Sequence, residues 1–359
     1  MKFFLISNMY PSRTNPSFGI FVKRITDGLK TNGATIVASA LIKGRPNSIL
    51  HYILAYSYFI FEGIIGSFKK FDVIFCHYAL HSAPVALMAS FISRKPLIVN
   101  IHGTDLLGKG VATTFLAPFR KILLRRANLI VVPSKYFKKR AVKLTGLKEE
   151  VFFVSPSGGV VIPIQHSCKR KREKLILGYV GRITKMKGVF LLLDVAKYLR
   201  KQVSESDFKI VLAGKGKDLK PFLSRVHAMG LSENIEYLGH FDQSELKVVY
   251  EGIDVLIFPT LLEESLGLVG LEAMSYGKPV IASKIGGIID YLIDGKNGFA
   301  FTPNDSDGIC SNLQEMIDKP ELIEYLSSNA FSTAKQYIDT AVSRKLCLKI
   351  SDLLSEYHK

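Results

Sequence analysis

The stretch ESLGLVGLEAM at residues 264–274 decides the fold, together with the two apolar runs that flank it. The run VLIFP at 255–259 is typical of a buried strand, and VIA at 280–282 is a second run of this kind. Between them the chain predicts a helix closed by Gly277 and Pro279, because these two residue types often end helices. The order strand, loop, helix, strand is typical of a parallel sheet that is covered by helices.

The loop in this stretch has the chemistry of an anion-binding site. Two glutamates, Glu264 and Glu272, lie eight residues apart on either side of Gly267. A loop that runs from a strand tip into a helix start collects unpaired backbone N–H groups at the positive end of the helix dipole. Carboxylates beside such a loop can accept hydrogen bonds from hydroxyl groups. Phosphate and hydroxyl groups together are the chemistry of a sugar nucleotide, so the stretch predicts a site for this class of molecule.

The longer run from Glu264 to Val280 carries a resemblance to a known family. Its pattern, E-x-x-G-x4-E-A-M-x-x-G-x-P-V, resembles the E-x7-E signature of the retaining glycosyltransferases of family 4, which have the GT-B fold. The chain has Leu266 where the family usually has Phe, and we expect this change to be tolerated because both side chains are apolar. The resemblance implies an α/β protein of the GT-B class, with two Rossmann-like domains that face each other across a cleft.

The resemblance also implies separate roles for the two carboxylates. Glu264 is expected to contact the hydroxyls of the transferred sugar, and Glu272 to hold the ribose of the nucleotide. Backbone N–H groups near Gly267, Leu268 and Val269 are expected to bind the phosphates. The two carboxylates of a glycosidase lie about 5–9.5 Å apart. Eight residues of helix would span about 12 Å. Because Glu264 is expected in the loop, the phosphate-binding motifs carry more weight against hydrolysis than this spacing does.

A second motif, at residues 181–188, follows a predicted strand and precedes a predicted helix. A guanidinium and an ammonium five residues apart at such a turn can clamp a diphosphate. The motif resembles the family's G-R-x4-K-G, which implies that Arg182 and Lys187 stabilise the leaving diphosphate and that Gly181 lies against the donor. Gly214 resembles the family's glycine-rich turn, and His240 resembles a residue near the nucleotide base.

The first half of the chain contributes two further candidates. Gly19 opens the first predicted helix, and its lack of a side chain would let the backbone approach a phosphate or an acceptor closely. His102 begins the sequence HGTD at 102–105, directly after a predicted strand at 97–101. This sequence resembles the family's H-G-[ST]-D motif, which implies that His102 contacts the donor sugar and is not a general base. Asp105 is expected to position the loop or to cap the next helix.

Strand and helix patterns alternate along the chain and divide it into two α/β domains. Strands are predicted at 3–6, 36–41, 73–76, 97–101, 129–132 and 151–154, and again at 175–180, 208–213, 235–238, 255–258 and 280–283. We predict an N-terminal acceptor-binding domain at 1–165, a linker at 166–174 and a C-terminal nucleotide-sugar-binding domain at 175–335. Residues 336–359 predict a helix that crosses back to the N-terminal domain.

The positive charge of the chain is concentrated in its first half. Residues 1–172 contain 26 Lys and Arg against 6 Asp and Glu, whereas residues 173–359 contain 22 against 25, for a net charge of +17. Such a half is attracted to anionic lipid or to a phosphorylated acceptor. The basic stretches at 115–126 and 138–140 predict a peripheral enzyme on the cytoplasmic face of the plasma membrane; a solvated basic face without a partner is the alternative. No zinc-finger or RNP-like motif occurs, so we expect no nucleic acid partner.

The longest apolar stretch and the cysteine spacing argue against a transmembrane helix and against a zinc site or a disulfide framework. The longest apolar stretch, at 49–68, contains His51, Glu62 and several tyrosines, and it predicts an amphipathic or buried helix in preference to a transmembrane one. The four cysteines are far apart and form no C-x-x-C pair, which argues against a zinc site or a disulfide framework.

The resemblance implies transfer of a sugar from a UDP- or GDP-sugar to a hydroxyl acceptor with retention of configuration and without a metal ion. No cofactor is expected beyond the nucleotide sugar, which is a substrate. A lipid-linked oligosaccharide of bacterial surface-polysaccharide synthesis is the expected acceptor, with another oligosaccharide or a soluble small molecule as alternatives. A sugar-nucleotide epimerase and a non-catalytic nucleotide-sugar-binding protein on the same fold are the alternative functions, and a product assay would separate them.

Overall fold

The computed structural model describes residues 1–108, 110–163 and 174–357. The chain forms two compact units: unit 1 comprises Met1–Gly159 with Asp339–Lys359, and unit 2 comprises Val160–Ile338. The predicted linker, apart from Lys174, lies outside the described residues. The last helix belongs to unit 1, so the chain leaves unit 2 near residue 338 and returns to the first unit.

Unit 1 contains a six-stranded parallel sheet in the order β2-β1-β3-β4-β5-β6. Its strands are β1 (Lys2–Tyr10), β2 (Thr35–Lys43), β3 (Val73–His77), β4 (Leu97–Asn100), β5 (Leu129–Val132) and β6 (Phe152–Val154). Its helices are α1 (Ile20–Thr31), α2 (Ile49–Ser67), α3 (Ala83–Ser93), α4 (Thr104–Leu107), α5 (Val111–Arg126), α6 (Lys135–Thr145) and, at the end of the chain, α13 (Asp339–Tyr357).

Unit 2 repeats this architecture with the strand order β12-β11-β10-β7-β8-β9. Its strands are β7 (Leu175–Val180), β8 (Phe208–Ala213), β9 (Ile235–Gly239), β10 (Val255–Phe258), β11 (Val280–Ser283) and β12 (Gly298–Phe301). Its helices are α7 (Leu191–Gln202), α8 (Leu219–Ala228), α9 (Leu246–Gly252), α10 (Leu268–Ser275), α11 (Ser306–Asp318) and α12 (Glu321–Lys335).

The central strands are buried on both faces, which explains why they are continuous apolar runs. Every residue of β3, β4, β5, β10 and β11 is buried. In unit 1, Phe4 points to a core shared with α2, α3, α5 and α6, whereas its neighbour Phe3 points to the opposite core, shared with α1 and α13. The strand order also brings the carboxyl ends of β1, β3 and β4 together in unit 1, and those of β10, β7, β8 and β9 in unit 2.

The expectation of a buried helix at 49–68 is wrong. Helix α2 buries only Phe59, Gly63, Gly66 and Ser67, and its other side exposes large apolar residues to solvent in place of the polar residues of an amphipathic helix. Among the described residues it is also the one helix that is long and apolar enough to cross a membrane. The sequence misleads here because an apolar run has the same composition whether a core or another partner covers it.

Candidate functional site

The carboxyl ends of β7, β8 and β9 are tied together by two backbone hydrogen bonds. The N–H of Gly181 donates to the carbonyl of Ala213 at 3.0 Å, and the N–H of Gly214 donates to the carbonyl of Gly239 at 2.8 Å. Gly214 has a φ of 147°, and a Cβ there would lie 1.9 Å from the carbonyl oxygen of Gly181, so only glycine fits. The exposed His240 follows directly after β9, on this same edge of the sheet.

The turn after β7 carries the two predicted cations. The side chain of Arg182 is exposed, and its carbonyl accepts a hydrogen bond from the Tyr179 hydroxyl at 2.7 Å. Lys187 ends a short 3-10 turn, and Gly188 follows it with a φ of 73°. A Cβ on Gly188 would lie 1.7 Å from the carbonyl oxygen of Pro259, so the turn packs directly on the end of β10. The structure therefore holds Lys187 close to the loop that begins the E-x7-E stretch.

Glu264 lies in that loop and contacts Lys187 directly. The Lys187 ammonium donates to Oε1 of Glu264, and the Thr260 hydroxyl donates to the same oxygen at 2.8 Å. The backbone of Glu264 is fixed as well, because its carbonyl accepts from the N–H of Gly287 at 2.7 Å. A Cβ on Gly286 would lie 2.4 Å from that carbonyl oxygen, so a larger residue would displace the loop. The structure thus joins two residues to which the sequence assigns separate tasks.

Glu272 is buried in α10, with both carboxylate oxygens hydrogen-bonded. Gln243 donates from Nε2 to Oε1 at 2.7 Å, and the Tyr250 hydroxyl donates to Oε2 at 3.0 Å. A carboxylate accepts hydrogen bonds from hydroxyl groups, so Glu272 has the chemistry that a ligand diol requires. Sequence reasoning missed Gln243 and Tyr250, since nothing in their local sequence indicates that the fold brings them to Glu272.

The N-terminus of α10 has the geometry of an anion site. Gly267 precedes the helix in the left-handed region, with a φ of 82°. Its carbonyl accepts a hydrogen bond from the buried Tyr291 hydroxyl at 2.7 Å, and a Cβ on Gly270 would lie 2.2 Å from that hydroxyl. The N–H groups of Leu268 and Val269 stand in the first turn, where a helix offers no acceptor. They remain available to a phosphate at the positive end of the helix.

The first predicted residue of unit 1, Gly19, precedes α1 with a φ of 70°. A Cβ there would lie 2.5 Å from the carbonyl oxygen of Met9, at the end of β1. The close approach of the two backbones, together with the left-handed conformation, explains why the position is a glycine. It places the start of α1 directly against the carboxyl end of β1.

The loop at 102–105 is shaped by a buried carboxylate. Asp105 accepts from the N–H groups of His102 at 3.0 Å and Gly103 at 2.9 Å with Oδ1, and from the N–H of Ala79 at 3.0 Å with Oδ2. Burial raises the pKa of Asp105 to about 6, while these backbone N–H groups act in the opposite direction. Asp105 thus connects the loops after β3 and β4 and fixes the backbone of His102.

His102 lies beside a second histidine that sequence reasoning missed. Nε2 of His102 lies 3.1 Å from Nδ1 of His77, the last residue of β3. Burial lowers the pKa of His102 to about 3, and burial together with His102 lowers the pKa of His77, so both rings are neutral. Nε2 of His77 is buried and has no hydrogen-bond partner in the part of the chain that the structure describes, and a bare ring nitrogen costs less there than an unpaired N–H. The hydrogen bond therefore assigns the shared proton to Nδ1 of His77 and leaves the N–H of His102 on Nδ1.

The positions of the His, Cys, Asp and Glu side chains also bear on metal binding. The described residues contain no cluster of three or more His, Cys, Asp or Glu that could hold a metal ion. The sequence does contain one Asp-x-Asp at 305–307, and Asp305 caps α11 there by accepting from the N–H of Gly308 at 3.0 Å. Its carboxylate has a structural role that explains its position.

Comparison with known proteins assigns both units. Residues 27–158 match the model "Glycosyltransferase Family 4", and residues 163–333 match the model "Glycosyl transferases group 1". The chain belongs to the family 4 glycosyltransferases of the GT-B class, and it is a glycosyltransferase. The predicted family and the predicted α/β GT-B fold are confirmed.

Individual relatives extend over nearly the whole chain. An uncharacterized glycosyltransferase of Methanocaldococcus jannaschii is 25% identical, and the match covers 92% of each chain. The D-inositol 3-phosphate glycosyltransferase of Corynebacterium diphtheriae is 24% identical, over 94% of this chain and 83% of the relative. The crystal structure of Anabaena HepE in complex with UDP has a TM-score of 0.77 at 19% identity, and the match covers 98% of this chain and all of HepE.

Proposed function

We propose that the protein transfers a sugar from a nucleotide diphosphate sugar to a hydroxyl acceptor with retention of configuration. The observation that carries the proposal is the convergence, at one edge of the unit 2 sheet, of Arg182, Lys187, the N-terminus of α10 and Glu272. Two cations and a helix terminus suit a diphosphate, and a buried carboxylate, which accepts hydrogen bonds only, suits the ribose hydroxyls. HepE was crystallised with UDP and with UDP-glucose, which supports UDP ahead of GDP as the nucleotide.

In this mechanism the protein acts by positioning and by charge stabilisation. Arg182 and Lys187 stabilise the negative charge that develops on the leaving diphosphate, an effect commonly worth several kcal/mol. The leaving phosphate takes the proton of the attacking hydroxyl, so no side chain has to act as a general base. His102, with a pKa near 3, is a poor base, so it is not proposed as one. We propose that transfer needs no metal ion, and loss of activity in a chelator would contradict this point.

Glu264 has two tasks in the proposed reaction. In the free protein its carboxylate balances the charge of Lys187, while Thr260 holds the same oxygen. When a diphosphate binds near Lys187, the second oxygen, Oε2, remains able to accept a hydrogen bond from a sugar hydroxyl. Glu264 thus connects the phosphate end and the sugar end of the donor.

The acceptor in this proposal is a lipid-linked oligosaccharide of bacterial surface-polysaccharide synthesis, and the enzyme is peripheral on the cytoplasmic membrane surface. The support is the concentration of positive charge in residues 1–172, which suits a membrane that contains anionic lipid and pyrophosphate-linked acceptors. The family alone does not fix the acceptor, since the relative in Corynebacterium diphtheriae is named for a D-inositol 3-phosphate acceptor.

Binding of UDP and GDP measured by calorimetry tests the donor site, with Arg182→Ala as the variant. Lys185→Ala is the matched control because Lys185 is an exposed cation in the same turn. We expect the affinity for one nucleotide to fall at least tenfold in Arg182→Ala and to stay unchanged in the control. Equal losses in both variants, or no nucleotide binding by the wild type, would overturn the assignment of the site.

The reaction itself is tested by incubating the UDP-sugars and GDP-sugars with lipid extracts and analysing the products. A transferase yields a glycosylated acceptor, and the anomeric configuration of the new bond reports retention. Conversion of the donor without any acceptor would indicate an epimerase, and unchanged donor with every acceptor would indicate a binding protein.

A further inference from the structure

One face of unit 1 is covered by apolar side chains that face solvent. Helix α2 packs on α3, and α3 packs on α5, so the three helices form one layer over the same face of the sheet. We name the outward side of this layer the apolar face. Its exposed members include Ile49, Leu50 and Phe68 at the two ends of α2, Phe91 of α3, and Val111 and Phe115 of α5. Soluble monomers rarely expose a contiguous apolar surface of this kind unless it binds a partner.

Six cations lie along one edge of the same layer. Each of the three helices runs antiparallel to the strands that it connects, so their C-terminal ends lie at the same edge of the sheet. Each of these ends carries two cations, which we name together the basic edge: Lys69 and Lys70, Arg94 and Lys95, Arg125 and Arg126. Among the described residues none of the six forms an ion pair with a carboxylate.

The acidic residues of this region are too few to neutralise the basic edge. Between residues 44 and 134 the chain has ten Lys and Arg but only three carboxylates. Glu62 accepts from the N–H of Leu41 at 3.1 Å, and Asp72 accepts from the N–H of Lys2 at 2.7 Å. The third, Asp105, is buried under the loop at 102–105. The layer therefore presents an apolar surface bordered by uncompensated positive charge.

We propose that the apolar face and the basic edge bind the surface of an anionic phospholipid bilayer, with the apolar side chains inserted among the headgroups. A helix with large apolar residues beside cations is the usual form of an interfacial membrane anchor. A second copy of this chain fits the surface less well, because self-association would bring together two net-positive regions with too few carboxylates to pair their cations. This inference deepens the proposed lipid-linked acceptor, and it rests on the proposed function only for its biological purpose.

Helix α2 binds on the membrane surface and does not cross it, because its inner side is packed tightly in unit 1. A Cβ on Gly63 would lie 2.4 Å from Cγ1 of Val85, and a Cβ on Gly66 would lie 2.4 Å from the ring of Phe4. Both glycines let α2 pack closely against the side chains of Val85 and Phe4, and a helix that crossed the bilayer would lose these contacts. The carboxylate of Glu62 also ties the helix to the backbone of β2.

A single tryptophan provides a direct test, since the chain contains none. Phe61→Trp places the probe on α2, and Leu348→Trp places a control at a comparably exposed position on α13, which packs on the opposite face of the sheet. Each full-length variant is titrated with vesicles of phosphatidylcholine alone and of an equimolar mixture with phosphatidylglycerol. We expect a blue shift of the emission only for Phe61→Trp, and only with the anionic vesicles. No shift, or equal shifts at both positions, would overturn the proposal.

Vesicle sedimentation separates the apolar and the charged contributions. Leu50→Gln/Ile53→Gln should reduce binding at least tenfold, whereas Leu348→Gln, on the opposite face, should leave it unchanged. If these two changes instead convert a stable dimer into a monomer without affecting vesicle binding, a second copy occupies the face and the proposal is wrong.

The charged contribution is tested with Lys69→Gln/Lys70→Gln. Each cation near an anionic bilayer contributes about fivefold to the partition coefficient, and the effect should disappear in high salt. Arg344→Gln/Lys345→Gln on α13 removes the same charge from the opposite face and should have a much smaller effect. An equal loss in both pairs would indicate attraction by net charge alone and would overturn the assignment of this face. None of these measurements requires donor or acceptor, so their failure is distinct from a failure of nucleotide binding.

Discussion

The ion pair between Lys187 and Glu264 allows a quantitative test of the donor site. Lys187→Met removes the ammonium and preserves most of the length of the side chain. The carboxylate of Glu264 then remains about five-sixths buried, since its side chain is only 17% exposed, and it keeps one hydrogen bond from Thr260. Breaking a fully buried pair costs about 3–5 kcal/mol, whereas a surface pair contributes about 0–1 kcal/mol. We therefore expect a loss of about 2–3 kcal/mol in the stability of unit 2.

Differential scanning calorimetry of the full chain measures this loss. For a unit of this size 1 kcal/mol corresponds to about 2–4 °C, so the expected fall in Tm is about 5–10 °C. The double variant Lys187→Met/Glu264→Gln should recover most of it, since the buried charge is then absent, and a coupling energy of about 2 kcal/mol should result. Lys185→Met, which removes an exposed cation of the same turn, should change the stability by less than about 0.5 kcal/mol.

Two results would refute this reasoning. If Lys187→Met lowers the Tm no more than Lys185→Met does, the pair is solvated and contributes little. If the losses of Lys187→Met and Glu264→Gln add in the double variant, the two side chains act independently. In either case Glu264 would not balance the charge of Lys187, and its proposed role in connecting the phosphate and sugar ends of the donor would fall.

Three further predictions follow from the site. Gly188→Ala should lower the free energy of unfolding by about 3 kcal/mol in thermal melts, because the new Cβ would meet the carbonyl of Pro259 at a position with positive φ. Gly252→Ala should be nearly neutral, since a Cβ added there meets no described atom within 4 Å beyond its own helix and chain neighbours. Glu272→Gln should weaken UDP binding at least tenfold by calorimetry, and full affinity would contradict the ribose contact. The contribution of His102 to stability should be lost as the pH falls from 6.5 towards 3, since the unfolded chain takes up a proton there and the folded chain does not; His102→Asn should flatten this fall in Tm.

Much of the fold could be predicted because buried parallel strands are continuous apolar runs. The predicted strands at 175–180, 208–213, 255–258 and 280–283 coincide with β7, β8, β10 and β11. β12 was not predicted, since its short run GFAF follows a glycine-rich turn and has no helix pattern before it. The ends of β1 and β2 extend beyond the predicted segments because edge pairing, which the periodicity does not report, lengthens both strands.

Part of the candidate site could also be predicted, because some of its residues belong to local sequence motifs. Glycines with positive φ, such as Gly267 and Gly188, follow motif spacing that the sequence displays directly. No local sequence pattern predicts hydrogen-bond partners that come from distant parts of the chain. His77 reaches His102 only because β3 and β4 are neighbours in the sheet, and Gln243 reaches Glu272 only because the folded chain brings them together.

The sequence by itself determined the family, the two α/β units and the positions of the glycine turns for which phosphate binding is proposed, because local spacing and composition dictate each of them. The tertiary structure decided which side chains meet. It paired Lys187 with Glu264, buried Asp105 under the loop of His102, and left the apolar side of α2 in solvent. These outcomes depend on strand order and on helix packing, which are collective properties of the folded chain and are not set by any local pattern of residues.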